Sequence, residues 1–363
     1  MRLDPHNPLD DSFLADVQNS LDHFFISQRE LLAPTGDRLD IVWDQARHYA
    51  EGGKRIRPAF CYWGYVAVAG TQSDPPVAVM DIAASLDLLH LSALVHDDLI
   101  DASDTRRGAP AAHRYFQAFH GEQGWPGDST RFGQSAAILL GDLLFAWSIA
   151  MAEQSGISGK RKNRARHYLD AMRVEVLAGQ FLELIHQDRP SPVEDLFRDA
   201  GLVMDLKSAK YTVTRPVQIG AALAMAGDDV QHHLGLFGTH VGNAFQMRDD
   251  LLGLFGDPEV TGKPAGDDLR EGKKTVVISY ALASAAPSQV DTLLAMLGNP
   301  CLSEADIDHA RQILTDCGAV ATTERAIEAE AASGMKYLHR LNLSDDGTYA
   351  LIGLAHAAVE RTA

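Results

Sequence analysis

A chain of 363 residues, 46% hydrophobic and 22% charged, has the make-up of a globular protein with room for one large domain or two ordinary ones. Its net charge of −17 excludes non-specific nucleic-acid binding, which rests on Lys and Arg against phosphates, yet permits a small anionic substrate wherever basic residues cluster. Cys61, Cys301 and Cys317 have neither metal nor redox spacing, no wholly apolar run of about 18 residues predicts a membrane span, and MRLDPHNPLDDSF lacks a signal-peptide pattern, so a cytoplasmic protein is expected.

Helix-length apolar segments recur from end to end, while β-type alternation is scarce. They cover residues 12–30, 39–51, 55–69, 77–103, 109–119, 134–154, 162–187, 194–209, 213–225, 229–256, 274–285, 288–297, 303–317 and 320–341. Short Gly, Pro, Ser or Asp breaks separate them, with longer loops expected over 120–133 and 257–272. No repeat and no low-complexity linker divides the chain, so the pattern predicts one all-α domain over residues 1–363.

Two of these helices carry chemistry. Residues 77–101 are apolar nearly all round, as a central helix is, yet Asp97 and Asp101 each fall within roughly 20° of His90 on its circumference. Residues 239–255 repeat the design: Thr239, Gly242, Asn243, Gln246, Asp249, Asp250 and Gly253 form a polar and small-residue stripe that lines either solvent or an internal cavity. Carboxylates in such places cost several kcal/mol unless compensated. Asp97, Asp98 and Asp101 are followed by Arg106 and Arg107, and Asp249 and Asp250 by a glycine- and lysine-rich stretch containing Lys263 and Lys273. Carboxylate oxygens suit Mg²⁺, which completes its shell with water and phosphate oxygens, and guanidinium forks suit the same phosphates. A third basic element, Gly52-Gly53-Lys54-Arg55-Ile56-Arg57-Pro58, opens a helix and favours an anion. Taken singly, each basic run could be a solvated surface, and Asp-x-x-x-Asp spacing is common at helix ends.

In order, the segments GGKRIRP, LLHLSALVHDDLIDASDTRRGAP, LLGD, AGQ, LKSAKYT and FQMRDDLLGLFGDPEVTGKPAGDDLREGKKT resemble the trans-isoprenyl diphosphate synthases, the bacterial geranylgeranyl diphosphate synthases above all. The likeness spans about residues 45–285. It implies a bundle of antiparallel helices around a deep central cavity, a homodimer, small diphosphate substrates, and Mg²⁺, with three ions when diphosphate is bound. Carried over residue by residue, it gives Lys54, Arg57, His90 and Arg107 to the diphosphate of isopentenyl diphosphate. Arg106, Lys207, Ser208, Gln246 and Lys263 go to the allylic diphosphate, with Ser208 where threonine is usual, and Lys273 to the lid. Asp97, Asp101 and Asp249 become metal ligands, with Asp98 and Asp250 among the catalytic carboxylates. One departure stands out: the family's second acidic cluster usually ends in aspartate, and this chain has Gly253 there, so coordination must rest on Asp249, with Asp250 and Asp257 acting through water.

The implied reaction is ionisation, condensation and elimination. Small residues at Ser92 and Ala93, where related farnesyl synthases carry aromatics, predict growth past C15 to C20, with farnesyl or longer products as alternatives; Phe60, Trp63 and Tyr65 are candidates for a deeper floor. A class I terpene cyclase would carry a hydroxyl residue at position 253, which is glycine here, and has no use for Lys54, Arg57 and His90. A regulatory, non-catalytic subunit would be expected to lose an acidic cluster or the basic set, and both are retained.

Overall fold

The computed structural model describes residues 3–70, 77–189, 192–256 and 266–360. Local chemistry sets the first boundaries. α1 (Asp11–Leu31) starts where the Asp10 carboxylate accepts the Phe13 N–H at 2.8 Å, and it buries Phe13, Val17, Leu21, Phe24 and Phe25. A 3₁₀ stretch, Ala33–Leu39, leads into α2 (Asp40–Ala50). α3 (Ile56–Ala69) and α4 (Val77–Ile100) follow, then a minimal hairpin, β1 (Thr105–Arg106) and β2 (Ala109–Pro110), α5 (Ala112–Glu122), α6 (Ser129–Gln154) and α7 (Gly159–Asp188). α8 (Val193–Val203) runs into a π-helical segment, Met204–Thr214, and then α9 (Arg215–Leu223) and α10 (Asp228–Phe255). The rest is α11 (Asp267–Arg270), α12 (Val276–Ser284), α13 (Pro287–Met296), α14 (Glu304–Asp316), α15 (Ala319–Leu338) and α16 (Asp345–Val359). The fold is all-α apart from that hairpin, as the helical pattern predicts.

Backbone contacts divide the chain into two compact units, the first made of Met1–Ala165, Ile219–Met225 and Ser344–Ala350, the second of Arg166–Gln218, Ala226–Leu343 and Leu351–Ala363. In the first, α4 is the hub, packed by α1, α3 and α6. From Val79 to Leu89 it is buried except at Asp81, which is why this stretch reads as apolar all round. In the second, α10 is the hub, packed by α15 and the π-helical segment. Each hub helix ends in an acidic cluster.

Several boundaries differ from the sequence pattern. The loop expected over 120–133 is much shorter, because α5 continues to Glu122 and α6 begins at Ser129, where Asp128 caps the N–H groups of Thr130 and Arg131. Gly133 is a packing residue inside α6: a Cβ there would lie 2.2 Å from the His113 carbonyl oxygen. The break expected between 209 and 213 is absent, since the π-helical segment bridges it. The apolar pattern gives no sign of α16 or of the hairpin at 105–110. α4 and α6 are also long and apolar enough, by length and composition, to cross a membrane; α4 spends that length on the core of its unit.

Candidate active site

In the first unit, glycine and strained backbone assemble the basic residues. Gly52 and Gly53 take φ of 73° and 89°, turning the chain out of α2. A Cβ on Gly53 would sit 3.1 Å from a terminal nitrogen of Arg107, so glycine lets that guanidinium lie against the loop. Arg107 reaches it from a two-residue hairpin turn, Arg107-Gly108, where both residues have positive φ (52° and 77°) and the flanking register pairs Arg106 with Ala109. Positive φ is costly for a non-glycine residue, and here it falls on both Arg55 (49°) and Arg107.

His90 is half-buried on α4. Burial first, then the charges of Arg57, Arg107, Arg106 and Arg55, hold its pKa well below the usual histidine range. Arg55 is already committed: it is buried against Asp87 and also donates to the Gln18 side chain and the Ala50 carbonyl, with burial and Arg107 lowering its pKa to about 10. Burial, followed by Arg106, also lowers Arg107. Positive charge is therefore concentrated beside a neutral imidazole.

The acidic residues of this unit separate into two roles. Asp97 and Asp101 are half-buried, one turn apart. Asp98, expected among the catalytic carboxylates, is fully buried and engaged elsewhere. Its Oδ1 accepts from Arg106 Nε at 2.8 Å and from a terminal Arg106 nitrogen, while Oδ2 accepts from the Tyr49 hydroxyl at 3.4 Å. Tyr49 in turn accepts the Ala112 N–H at 2.9 Å. Burial, joined by the Asp98 charge, raises the Tyr49 phenol; burial would lower Arg106, but its hydrogen bond and ion pair with Asp98 outweigh that and leave it raised. Asp98 thus braces Arg106 between the hub helix and the hairpin.

In the second unit, Lys207 and Ser208 lie in the π-helical segment, a geometry that re-aims side chains and recurs at functional sites. α7 passes very close to this segment: a Cβ on Gly179 would come within 2.4 Å of the Lys207 backbone nitrogen, which accounts for the glycine of the AGQ motif. One turn on, Glu183 accepts from Lys207 Nζ. At the end of α10, Gln246 donates to Asp250 Oδ1 at 2.7 Å. Asp250 is buried, and its pKa is raised well above the carboxylate range by burial, then by Asp268, with Asp249 and Glu183 adding to it. Of the expected cavity stripe, part is a packing seam instead, since Gly242 rests on Ala209 and Thr239 bonds Thr214. Lys273 pairs with Glu271, and Lys274 caps the end of α7 by donating to the His186, Gln187 and Arg189 carbonyls. Lys263 and Asp257 lie outside the described residues.

Sequence reasoning missed Tyr49, Glu183 and Asp268. Glu183 was detectable, three residues after Gln180 of the AGQ motif; Tyr49 left no signal, because its role depends on a contact with a residue 49 positions away.

Comparison with known proteins meets this geometry. Residues 40–314 match the polyprenyl synthetase family model. A geranylgeranyl pyrophosphate synthase from Corynebacterium glutamicum, solved with isoprenyl diphosphate and magnesium, superposes with a TM-score of 0.91 at 37% identity, covering 97% of this chain and 99% of that one. A geranylfarnesyl diphosphate synthase from Aeropyrum pernix is 30% identical over 339 residues, 92% of this chain and 96% of the relative. A (2E,6E)-farnesyl diphosphate synthase from Mycobacterium tuberculosis is 29% identical over 358 residues, 92% of this chain and 91% of the relative. The chain belongs to the polyprenyl synthetase family.

Proposed function

We propose that this trans-prenyltransferase condenses isopentenyl diphosphate with allylic diphosphates of C5 to C15 and releases C20 geranylgeranyl diphosphate. The observation that carries the reading is the gathering of Arg57, Arg106, Arg107 and Arg55 around His90, on the helix that ends in Asp97 and Asp101. Asp87 pairs with Arg55 and Asp98 with Arg106, and so many guanidinium groups beside one imidazole favour an anion there.

Lys54, Arg57 and Arg107 bind the diphosphate of isopentenyl diphosphate, and His90, held neutral, donates an N–H to it. Arg106, braced by Asp98, grips the allylic diphosphate together with Lys207, Ser208, Gln246, Lys263 and Lys273. Lys207 leaves Glu183 for the substrate when the diphosphate arrives.

The donors fit Mg²⁺: Asp97, Asp101 and Asp249 are oxygen ligands at the C-terminal ends of two helices, where the dipole adds to their negative charge and a cation is favoured. When bound, three Mg²⁺ ions supply positive charge that favours departure of the diphosphate. The allylic C1–O bond breaks and its electron pair leaves with that diphosphate. The double bond of isopentenyl diphosphate then attacks C1, and a proton is lost to the released diphosphate. Arg106 and Lys207 stabilise the charge that develops on the leaving oxygen.

Small side chains set the product length. Ser92 is buried and Ala93 half-buried, one turn before Asp97, and neither can block a growing tail. Phe60, Trp63 and Tyr65 are buried on α3, with Trp63 Nε1 fixed to the Pro8 carbonyl at 3.1 Å, and they supply the deeper floor. The whole chain, residues 1–363, acts as one synthase domain, cytoplasmic and without a membrane span. It pairs with a second copy through the apolar side chains that α6 (Ile138, Leu139) and α7 (Val174, Leu177, Phe181) expose.

The test is the purified chain with Mg²⁺, isopentenyl diphosphate and dimethylallyl, geranyl or farnesyl diphosphate in turn, with products separated by chain length. C20 product from these primers is expected. No elongation of any primer, or a cyclic hydrocarbon from geranylgeranyl diphosphate alone, overturns the reading.

A further inference from the structure

The first acidic cluster pairs Asp97 with Asp101 across one helical turn, and the second cannot do the same. Four residues after Asp249, on the same face of α10, stands Gly253. The space its side chain would fill is already taken. A Cβ built on Gly253 would lie 2.5 Å from Asp268 Oδ2, 3.3 Å from its Cγ and 3.8 Å from Oδ1. A carboxylate therefore sits where the side chain of position 253 would begin, delivered by a different segment.

The backbone around Asp268 holds it in that place. The Gly266 N–H donates to the Gly253 carbonyl at 3.2 Å, tying the start of α11 to the end of α10. Gly266 then takes φ 80°, which turns the chain into α11. Leu269 is fully buried, and its carbonyl accepts the Gly298 N–H at 2.8 Å. The Asp268 carbonyl accepts the Lys273 N–H at 2.9 Å. Among the described residues no salt bridge neutralises the Asp268 side chain, whose carboxylate lies against α10 at Gly253. The arrangement brings a half-buried carboxylate to others of like charge, an expense that a shared cation would offset.

We propose that Asp268 supplies the carboxylate that position 253 lacks, so that the second metal-holding face of this chain is built from Asp249 and Asp268 across two segments. The proposal rests on the reading of Asp249 as a Mg²⁺ ligand. It has a consequence that an on-helix pair would not: the ligand set depends on the docking of α11 against α10, which couples ion binding to the position of the segment leading to Lys273.

A charge-relocation experiment on the full-length protein tests it, with Mn²⁺ binding measured by electron paramagnetic resonance in the presence of inorganic diphosphate. Asp268→Asn is expected to weaken binding by about tenfold or more. Asp268→Ala combined with Gly253→Asp, which moves the carboxylate onto α10 and vacates the space it needs, is expected to recover most of that loss, whereas Gly253→Asp alone is not an improvement because its side chain meets Asp268. Circular dichroism melts establish that each variant is folded. Unchanged ion binding in folded Asp268→Asn overturns the proposal, as does a folded double variant that recovers nothing. Asp249→Ala separates the two levels. If it too leaves binding unchanged, the reading of the second cluster fails; if it alone weakens binding, that reading stands and only the role given to Asp268 is wrong.

Discussion

Asp98→Asn separates a metal ligand from a bracing residue, because the two roles move different observables. Asp98 is completely buried, and Arg106 beside it has a side chain only 14% exposed. The substitution keeps the shape and one acceptor oxygen but removes the charge that compensates a buried guanidinium. Breaking a buried pair from one side costs about 3–5 kcal/mol, and the retained acceptor and partial exposure of Arg106 put this case near about 3 kcal/mol. For a cooperative unit of about 150–250 residues each kcal/mol lowers the melting temperature by about 2–4 °C, so a fall of about 6–12 °C is expected. The assay pairs a thermal melt with steady-state kinetics over a Mg²⁺ titration. The structure predicts a lowered melting temperature, a raised KM for the allylic diphosphate through the loosened Arg106, and an unchanged half-saturating Mg²⁺ concentration. An unshifted melt together with a raised Mg²⁺ requirement would refute the reasoning and make Asp98 a metal ligand.

Asp97→Ala, at a half-buried position, is expected to lower turnover by orders of magnitude with little change in the melt; near-wild-type condensation by a folded variant refutes its assignment. Ala93→Phe is expected to shorten the product toward C15 on chromatography, and an unchanged chain length rejects the floor placed there. Gly53→Ala puts a side chain at φ 89° and against Arg107, which is expected to cost about 1 kcal/mol and to raise the KM for isopentenyl diphosphate more than that for the allylic primer. His90, its pKa depressed by burial and four arginines, stays neutral in the folded chain as pH falls below the unfolded value near 6.5. The unfolded chain then binds the extra proton and is favoured, so stability drops as pH falls below about 6.5; His90→Gln is expected to shrink that drop in melts taken across pH.

Much of this was legible in residue order, and the exceptions share a cause. The hub helices α4 and α10 declare themselves because burial on all sides leaves an apolar run that only functional residues interrupt. The basic loop at 52–57 is readable because two glycines precede three cations within four residues, where a helix opens and an anion is favoured. What stayed hidden depends on contacts between distant segments. Gly133 reads as a loop residue, yet it is a helix residue made necessary by the His113 carbonyl on a neighbouring helix. Asp98 looks like its neighbours Asp97 and Asp101, and only the buried ion pair with Arg106 separates it from them. Gly253 looks like a lost ligand until Asp268 is seen to occupy its place.

The most direct test of the account is Mg²⁺-dependent transfer of labelled isopentenyl diphosphate onto farnesyl diphosphate by the purified chain, compared with its Asp97→Ala and Arg107→Ala variants. The account predicts a C20 product that disappears with chelator, near-complete loss in Asp97→Ala, and a raised KM for isopentenyl diphosphate in Arg107→Ala. Incorporation that persists in the chelated protein, or that neither variant alters, would contradict it.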